Sequence, residues 1–166
     1  MRYSLEQFAA ECHRVLKADA GPLGRLQVSN LLKDVLKDDD FVATYVGDDV
    51  SERKVLYEDS ELGFVILAHK YDGASDSRPH DHGPSWAIYG QARGETEMTE
   101  WVVVEPASSG RAGKVRPIGT TTLKPGMAFV YHEGELHSPR RSGPAKLIRI
   151  EGTNLDKVQR LTYEPA

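Results

Sequence analysis

The hydrophobic pattern of this chain changes period near Arg53. Before that point Leu5, Phe8, Ala9, Cys12, Val15 and Leu16 recur at helical spacing, and Leu26, Val28, Leu31, Leu32, Val35 and Leu36 repeat the pattern. After it, short runs rich in β-branched and aromatic residues alternate apolar with polar positions, parted by Gly, Pro and Asp at short intervals. A helix-period segment cannot pair as a strand, nor a period-two segment coil as a helix. The chain must therefore build a helical first part and a strand-built remainder.

The helical part has readable punctuation. Ser4 followed three positions later by Gln7 predicts a capping box and a first helix from Leu5 to Lys17. Gly21-Pro22 breaks it, the second apolar stripe gives a second helix that ends at the acidic turn beginning at Asp38, and a short third helix fits Phe41 to Tyr45. The expected strands are Lys54 to Glu58, Leu62 to Tyr71, Trp86 to Gln91, Glu95 to Val104, Thr120 to Lys124, Met127 to Tyr131, Lys146 to Glu151 and Leu161 to Tyr163. The stretch from Pro106 to Lys114, rich in Ser, Gly and Ala, reads as an exposed hairpin loop. Short antiparallel strands in this number predict an all-β sandwich or barrel with an N-terminal helical extension. With 166 residues, the expectation is a single domain over 1–166, helical at 1–45 and a β-barrel at 53–163.

Composition removes several function classes. The net charge of −4 comes from interspersed acids and bases with no basic stripe, which argues against a nucleic-acid partner. No apolar run approaches the roughly 20 residues that span a bilayer. The segment Met1–Ser4 lacks the apolar core of a signal peptide, so a cytoplasmic protein without a membrane partner is expected. The single cysteine, Cys12, cannot form an internal disulfide and is read as a small buried apolar residue.

Chemistry concentrates in two places. In extended backbone alternate side chains share a face, so His80 and His82 point together with Asp81 opposite. Downstream, the strand-like Met127 to Tyr131 leads into the run His132 to His137, which brings a third imidazole to the same place if the strands are neighbours. His132, at a strand end, suits a supporting role better than ligation, and His13 and His69 are expected to be non-ligands.

These residues carry a resemblance. The chain is similar to the cupin superfamily of small jelly-roll β-barrels, whose first motif is a His-x-His pair, a spacer of three or four residues, Glu, six residues and Gly. Here His80 and His82 precede Ala87 and Gly94 at that spacing, with Ala87 in the acidic place. The second motif, Gly, five residues, Pro, x, Gly, two residues, His, three residues, Asn, is matched by Gly126, His132, Gly134, His137 and Arg141. Within the superfamily the chain most resembles the thiol dioxygenases of the cysteine dioxygenase group, whose iron is held by three histidines and no carboxylate. The helices before the barrel, the segment from Arg53 to Asp59 and the phrase Pro79 to Gly83 followed by Trp86 extend the likeness. It implies a cupin jelly-roll fold and a mononuclear non-haem iron oxidoreductase with His80, His82 and His137 as ligands. It also implies that Arg53 binds a substrate carboxylate, and that O2 and a small anionic substrate, thiol- or carboxylate-bearing, are the partners.

One departure bears on the substrate. That group carries a Ser-x-His-x-Tyr relay on a late strand, where this chain has Leu147, Arg149 and Glu151. Arg149 and Glu151 alternate with Ile148 and Ile150, so both are expected to face the metal cavity, paired with each other, with substrate or with metal. Tyr89 alternates onto the face of Ala87 and Gln91 and lines the same pocket. Tyr89, Arg149 and Glu151 are the candidate catalytic residues, and Trp86 is expected on the outer face or a dimer seam. Three imidazoles do not choose a metal by themselves; Fe(2+) is the first expectation, Zn(2+) or Ni(2+) the alternatives. Ala87 in place of Glu leaves the full charge of a divalent ion, which favours an anionic ligand. Two further readings stand beside the dioxygenase: a metal-dependent lyase, isomerase or hydrolase with Glu151 or Tyr89 as base, and a cupin that binds metal or a small ligand without turnover. Exposed edge strands admit a homodimer.

Overall fold

The computed structural model describes residues 3–166; the first two residues of the Met1–Ser4 segment lie outside the described residues. Three helices, α1 (Leu5–Ala18), α2 (Pro22–Leu36) and α3 (Asp39–Tyr45), precede ten strands. These are β1 (Lys54–Glu58), β2 (Val65–Tyr71), β3 (Ser75–Asp76), β4 (Ala87–Arg93), β5 (Thr96–Glu105), β6 (Gly113–Leu123), β7 (Ala128–Tyr131), β8 (Leu136–Arg141), β9 (Ala145–Glu151) and β10 (Tyr163–Pro165). The strands form two five-stranded sheets, in the orders β1-β2-β9-β4-β7 and β10-β6-β5-β8-β3.

Helix starts follow from local hydrogen bonding. The Ser4 hydroxyl accepts from the Gln7 amide at 3.2 Å and the Gln7 side chain accepts from the Ser4 amide at 2.9 Å, which is the expected capping box. Pro22 starts α2 rather than only ending α1: its fixed φ and missing N–H suit the first helical position, and Gly21 caps it. Asp38 caps α3 by accepting from the Phe41 amide at 3.1 Å.

The helices cover one face of the first sheet. Phe8, Cys12, Leu16, Val28, Leu32, Val35 and Phe41 form one buried cluster with Ile66, Ala68, Ile88, Ala92, Ile148 and Ile150 of that sheet. Its other face meets the second sheet through Ala87, Tyr89, Leu147, Met98, Leu123 and Tyr131. Strands β2 and β4 are therefore buried on both sides and read as nearly continuous buried runs, whereas β5, wet on one side, mixes buried with exposed positions.

The all-β expectation needs correction: the fold is β-rich, but the helices supply a whole layer. A sheet with apolar side chains on both faces exposes one of them until something covers it. Three boundaries also differ. β6 begins at Gly113, inside the expected loop, and tolerates Pro117 because β10 reaches only as far as Val115 along that edge. β8 runs through Pro139, which masked it. The last strand is β10, shifted to Tyr163–Pro165 and parallel to β6.

Gly90 sets the distance between α2 and the strand that carries Tyr89. A Cβ there would lie 2.7 Å from Leu32 Cδ2 and 2.9 Å from the Ile148 carbonyl oxygen. Gly90→Ala is expected to destabilise the protein by about 1–3 kcal/mol through overpacking. The measurement is the midpoint of chemical denaturation, and an unchanged midpoint would refute the close approach.

Candidate metal centre

Three segments converge between the sheets. His80 is not in a regular strand but in an isolated bridge to β8: its amide donates to the His137 carbonyl and the His137 amide donates back, both at 3.0 Å. The chain then turns sharply. Asp81 accepts from the Gly83 amide at 3.0 Å, and Gly83 adopts φ of +56°. This turn sets His82 beside the other two rings, with centroids 4.6 Å from His137 and 5.7 Å from His80. One ligand atom from each of His80, His82 and His137 lies within 4.8 Å of the others. The pairing expected from their spacing is present, although a bridge and a turn, not a strand, create it.

The protonation of the triad is set by its neighbours. His80 Nδ1 lies 2.8 Å from the Arg78 carbonyl and His137 Nδ1 lies 3.0 Å from the Glu135 carbonyl. A carbonyl only accepts, so both Nδ1 atoms carry the proton and both Nε2 atoms present a lone pair. His82 and His137 are fully buried and His80 is partly exposed. Burial, followed by the neighbouring cations, pushes the His137 imidazolium down to about 3 and lowers His80 and His82 as well. Neutral imidazoles are what a divalent ion requires, and imidazole nitrogen bonds such an ion at about 2.0–2.2 Å. The donor set fits a metal, and its chemistry suits iron, zinc or nickel alike.

Tyr89 reaches the same point from β4. Its hydroxyl lies 3.1 Å from both His82 Nε2 and His137 Nε2, so its one proton serves one ring at a time. Arg149 approaches that hydroxyl at 3.4 Å and holds its guanidinium 4.9 Å above the Tyr89 ring. Arg149 also donates through Nε to Glu151 at 3.0 Å. Glu151 is fully buried, and Arg53 grips it with two bonds at 3.0 and 3.1 Å, while the Leu155 amide adds a third at 3.0 Å. Burial alone would push Glu151 up; the bonds from Arg53 and the charge of Arg149 outweigh it and hold the carboxyl at about 2.

The structure thus brings Tyr89, Arg149 and Glu151 together beside the triad, as their alternation implied. Arg53 joins them only through Glu151. Two more of its five N–H donors go to Asp156 at 2.9 Å and Asn154 at 2.9 Å, so the fork expected to hold a substrate carboxylate already holds this chain's own. His132 lies off the triad, 3.1 Å from Arg25, which also makes a bidentate bond to Glu133 at 2.7 Å. His13 bonds Asp59 at 2.7 Å on the helical side. Trp86 is buried on the outer face of the first sheet, as one of its two expected positions had it, where it packs in the cluster under the helices, 5.4 Å beneath Arg25 and tight against Gly152.

Two residues were missed by sequence reasoning. Tyr131 stacks on His137 with ring centroids 4.0 Å apart, and Arg141 lies two inward steps beyond His137 on β8. Period-two alternation could have found both: Tyr131 is the register partner of Ala87, on the face of Tyr89. The largest cavity described, about 570 Å³, is lined by Glu100, Trp101, Ile118, Tyr131, Glu135 and Leu136. None of the three histidines lines it, and Tyr131 stands between it and His137.

No family model and no curated protein matches this sequence. Solved structures similar to it include KdgF from Halomonas sp., at 19% identity and a TM-score of 0.48, covering 64% of this chain and 82% of that one. The cupin domain of Cnp3 from Schizosaccharomyces pombe aligns at 12% identity and a TM-score of 0.46, covering 61% of this chain and 64% of that one. A cupin-2 domain protein from Shewanella frigidimarina aligns at 16% identity and 0.42, covering 59% and 76%. Among the described residues no helix is long and apolar enough to cross a membrane.

His82→Ala and His137→Ala are each expected to abolish stoichiometric uptake of ferrous iron or zinc, and His132→Ala to keep it; elemental analysis after gel filtration reads the difference. Acid stability gives a second check. His69 is buried between the sheets with neither ring nitrogen bonded, and burial, then Arg149 and Arg53, lower it to about 3. A folded value below the unfolded one means that its stabilisation is complete above about pH 6.5 and is lost as pH falls toward 3. His69→Leu should flatten the decline of metal-free stability across that window, and an identical slope in wild type and variant would contradict the assignment.

Proposed function

We propose that the chain is a cupin enzyme whose three-histidine centre holds Fe(2+) and oxidises a small anionic thiol with O2. Balanced, the reaction takes RSH and O2 to RSO2H, both oxygen atoms ending on sulfur with no external reductant. The observation that carries this reading is the donor set: three neutral imidazoles with no carboxylate, two of them aimed by backbone carbonyls. When bound, the ion supplies oxygen activation and a binding place for the thiolate, and its charge is uncompensated by any ligand.

The chain's own groups then have distinct tasks. Tyr89 presents its hydroxyl at the triad and is the group able to donate to, or take a proton from, a ligand there. Burial raises its pKa and the Arg149 charge works against that rise, so the phenol stays protonated at neutral pH. Arg149 orients Tyr89 and adds positive potential. Glu151 acts through Arg149 as a positioning residue; a carboxyl held near 2 by two guanidiniums is too weak a base to collect a proton. That last point weighs against the Lewis-acid lyase or hydrolase reading insofar as it relied on Glu151.

Ferrous-loaded protein should consume one O2 per thiol from a panel that includes cysteine and mercaptopropionate. Oxygen uptake that fails with every thiol acid tested, on a sample proven to contain iron, would overturn the dioxygenase reading. Tyr89→Phe should keep the metal and lower kcat by about a hundredfold or more, the usual reach of one proton-handling group being roughly 10² to 10⁴.

A further inference from the structure

The hollow of about 570 Å³ on the far side of Tyr131 from His137 is not used by the centre described above. Its polar wall includes Glu100, Glu135, Tyr131 and His132, and no lysine or arginine lines it. Tyr131 is 4% exposed, and among the described residues its hydroxyl has no hydrogen-bond partner. Unlike the orphaned ring nitrogens of His69, this oxygen keeps an accessible surface, and its residue lines the cavity. Burial raises the Tyr131 pKa, and the charges of Glu100, Tyr89 and Glu135 raise it further, which sets both cavity carboxylates near the phenol.

Neither carboxylate has a counterion. Among the described residues no lysine, arginine or histidine side-chain nitrogen lies within 4.0 Å of Glu100 or Glu135. Glu135 uses one oxygen to accept from the His132 amide at 2.7 Å. The nearby cations are engaged elsewhere: Lys33 donates to Asn30 at 3.3 Å, and Arg25, which reaches His132, is paired with Glu133. The remaining wall is apolar or aromatic. Val103 and Ile118 are large side chains left exposed on it, and Trp101 is fixed by its indole N–H, which donates to Ser138 at 2.8 Å. A pair of exposed carboxylates alone is a solvated rim, because water screens it well. Here a buried acceptor and uncovered apolar surface lie beside the pair, so a fitting ligand brings positive charge and N–H donors at one end and an apolar body at the other. A primary ammonium has three donors, enough for Glu100, Glu135 and the Tyr131 oxygen, and aromatic rings attract its charge. An anion would meet two like charges, and a quaternary ammonium has no donor to give.

We propose that this cavity is a second ligand site, which takes a small primary ammonium with an apolar body: its N–H groups bond Glu100, Glu135 and the Tyr131 hydroxyl, and its body covers Trp101 and Ile118. The site is independent of what occupies the triad, since Tyr131 separates the two.

The test is calorimetric titration of the full chain at neutral pH, once loaded with zinc and once treated with a chelator, using phenethylammonium and hexylammonium as probes. Phenylethanol removes the charge, phenylacetate inverts it, and phenethyltrimethylammonium keeps the charge without donors. At least one primary ammonium should bind at one site per chain, about tenfold or more tighter than its neutral or anionic counterpart, and equally with and without zinc. The double variant Glu100→Gln/Glu135→Gln, at two exposed positions, should weaken that binding by about tenfold or more. Tyr131→Phe keeps the ring on His137 and should weaken the primary ammonium by a similar factor, leaving the quaternary one unchanged, because one hydrogen bond to a charged group is lost. The proposal is overturned if neither primary ammonium binds saturably, if phenylethanol binds as tightly, or if either variant binds the primary ammonium as wild type does. Binding seen only in the zinc-loaded protein would mean that the amine ligates the metal, and it too would overturn the proposal, whereas failure of every thiol in the oxygen-uptake assay would leave it standing.

Discussion

Burial of the first sheet on both faces is the constraint from which the rest of the molecule follows. Ile66, Ile88, Ile148 and Ile150 point to the helices while Tyr89, Leu147, Arg149 and Glu151 point to the second sheet, so β4 and β9 are fixed from two sides. A strand packed that way has little freedom to slide, because a one-residue slip would exchange its isoleucines for its charges. The close approach of Gly90 to Leu32 lies next to Tyr89 in the chain, so the helical layer helps set the position of the hydroxyl at the triad. The helices are far from the chemistry yet hold part of its geometry.

The second determinant is local. The reciprocal bond between His80 and His137 joins a segment with no regular structure to β8, and the Asp81–Gly83 turn brings His82 round to it. Two of the three rings are further aimed by carbonyls within two residues of themselves, Arg78 and Glu135. The ligand set is thus built mostly from backbone hydrogen bonding near each histidine, and little of it depends on distant side chains.

That difference explains what was legible in the sequence. His137 was legible only through the motif spacing of the resemblance; helices with caps and sustained spacing, and strands with clean alternation, read directly, and so did the His80–His82 pair, because a short spacing carries its geometry. β8 did not: Pro139 and two arginines disguise it, and its place between β5 and β3 depends on long-range pairing. Missing β8 meant missing Arg141, which occupies the inward face only because β8 is a strand. Arg53 illustrates the opposite failure. Its location beside the site was legible, but the demand of Glu151 for two guanidiniums became visible only with the neighbours in place.

The interior charges then divide into two kinds. The Arg53–Glu151–Arg149 group is satisfied within itself, and its net contribution to stability is modest, since burial of each ion offsets much of the attraction. What it secures is orientation: with Glu151 held by Arg53 and by the Leu155 amide, Arg149 is fixed over Tyr89. Arg141 differs from them: its guanidinium lies over the Tyr71 ring, its buried Nε has no hydrogen-bond partner, and no carboxylate oxygen lies within 4.0 Å of it among the described residues.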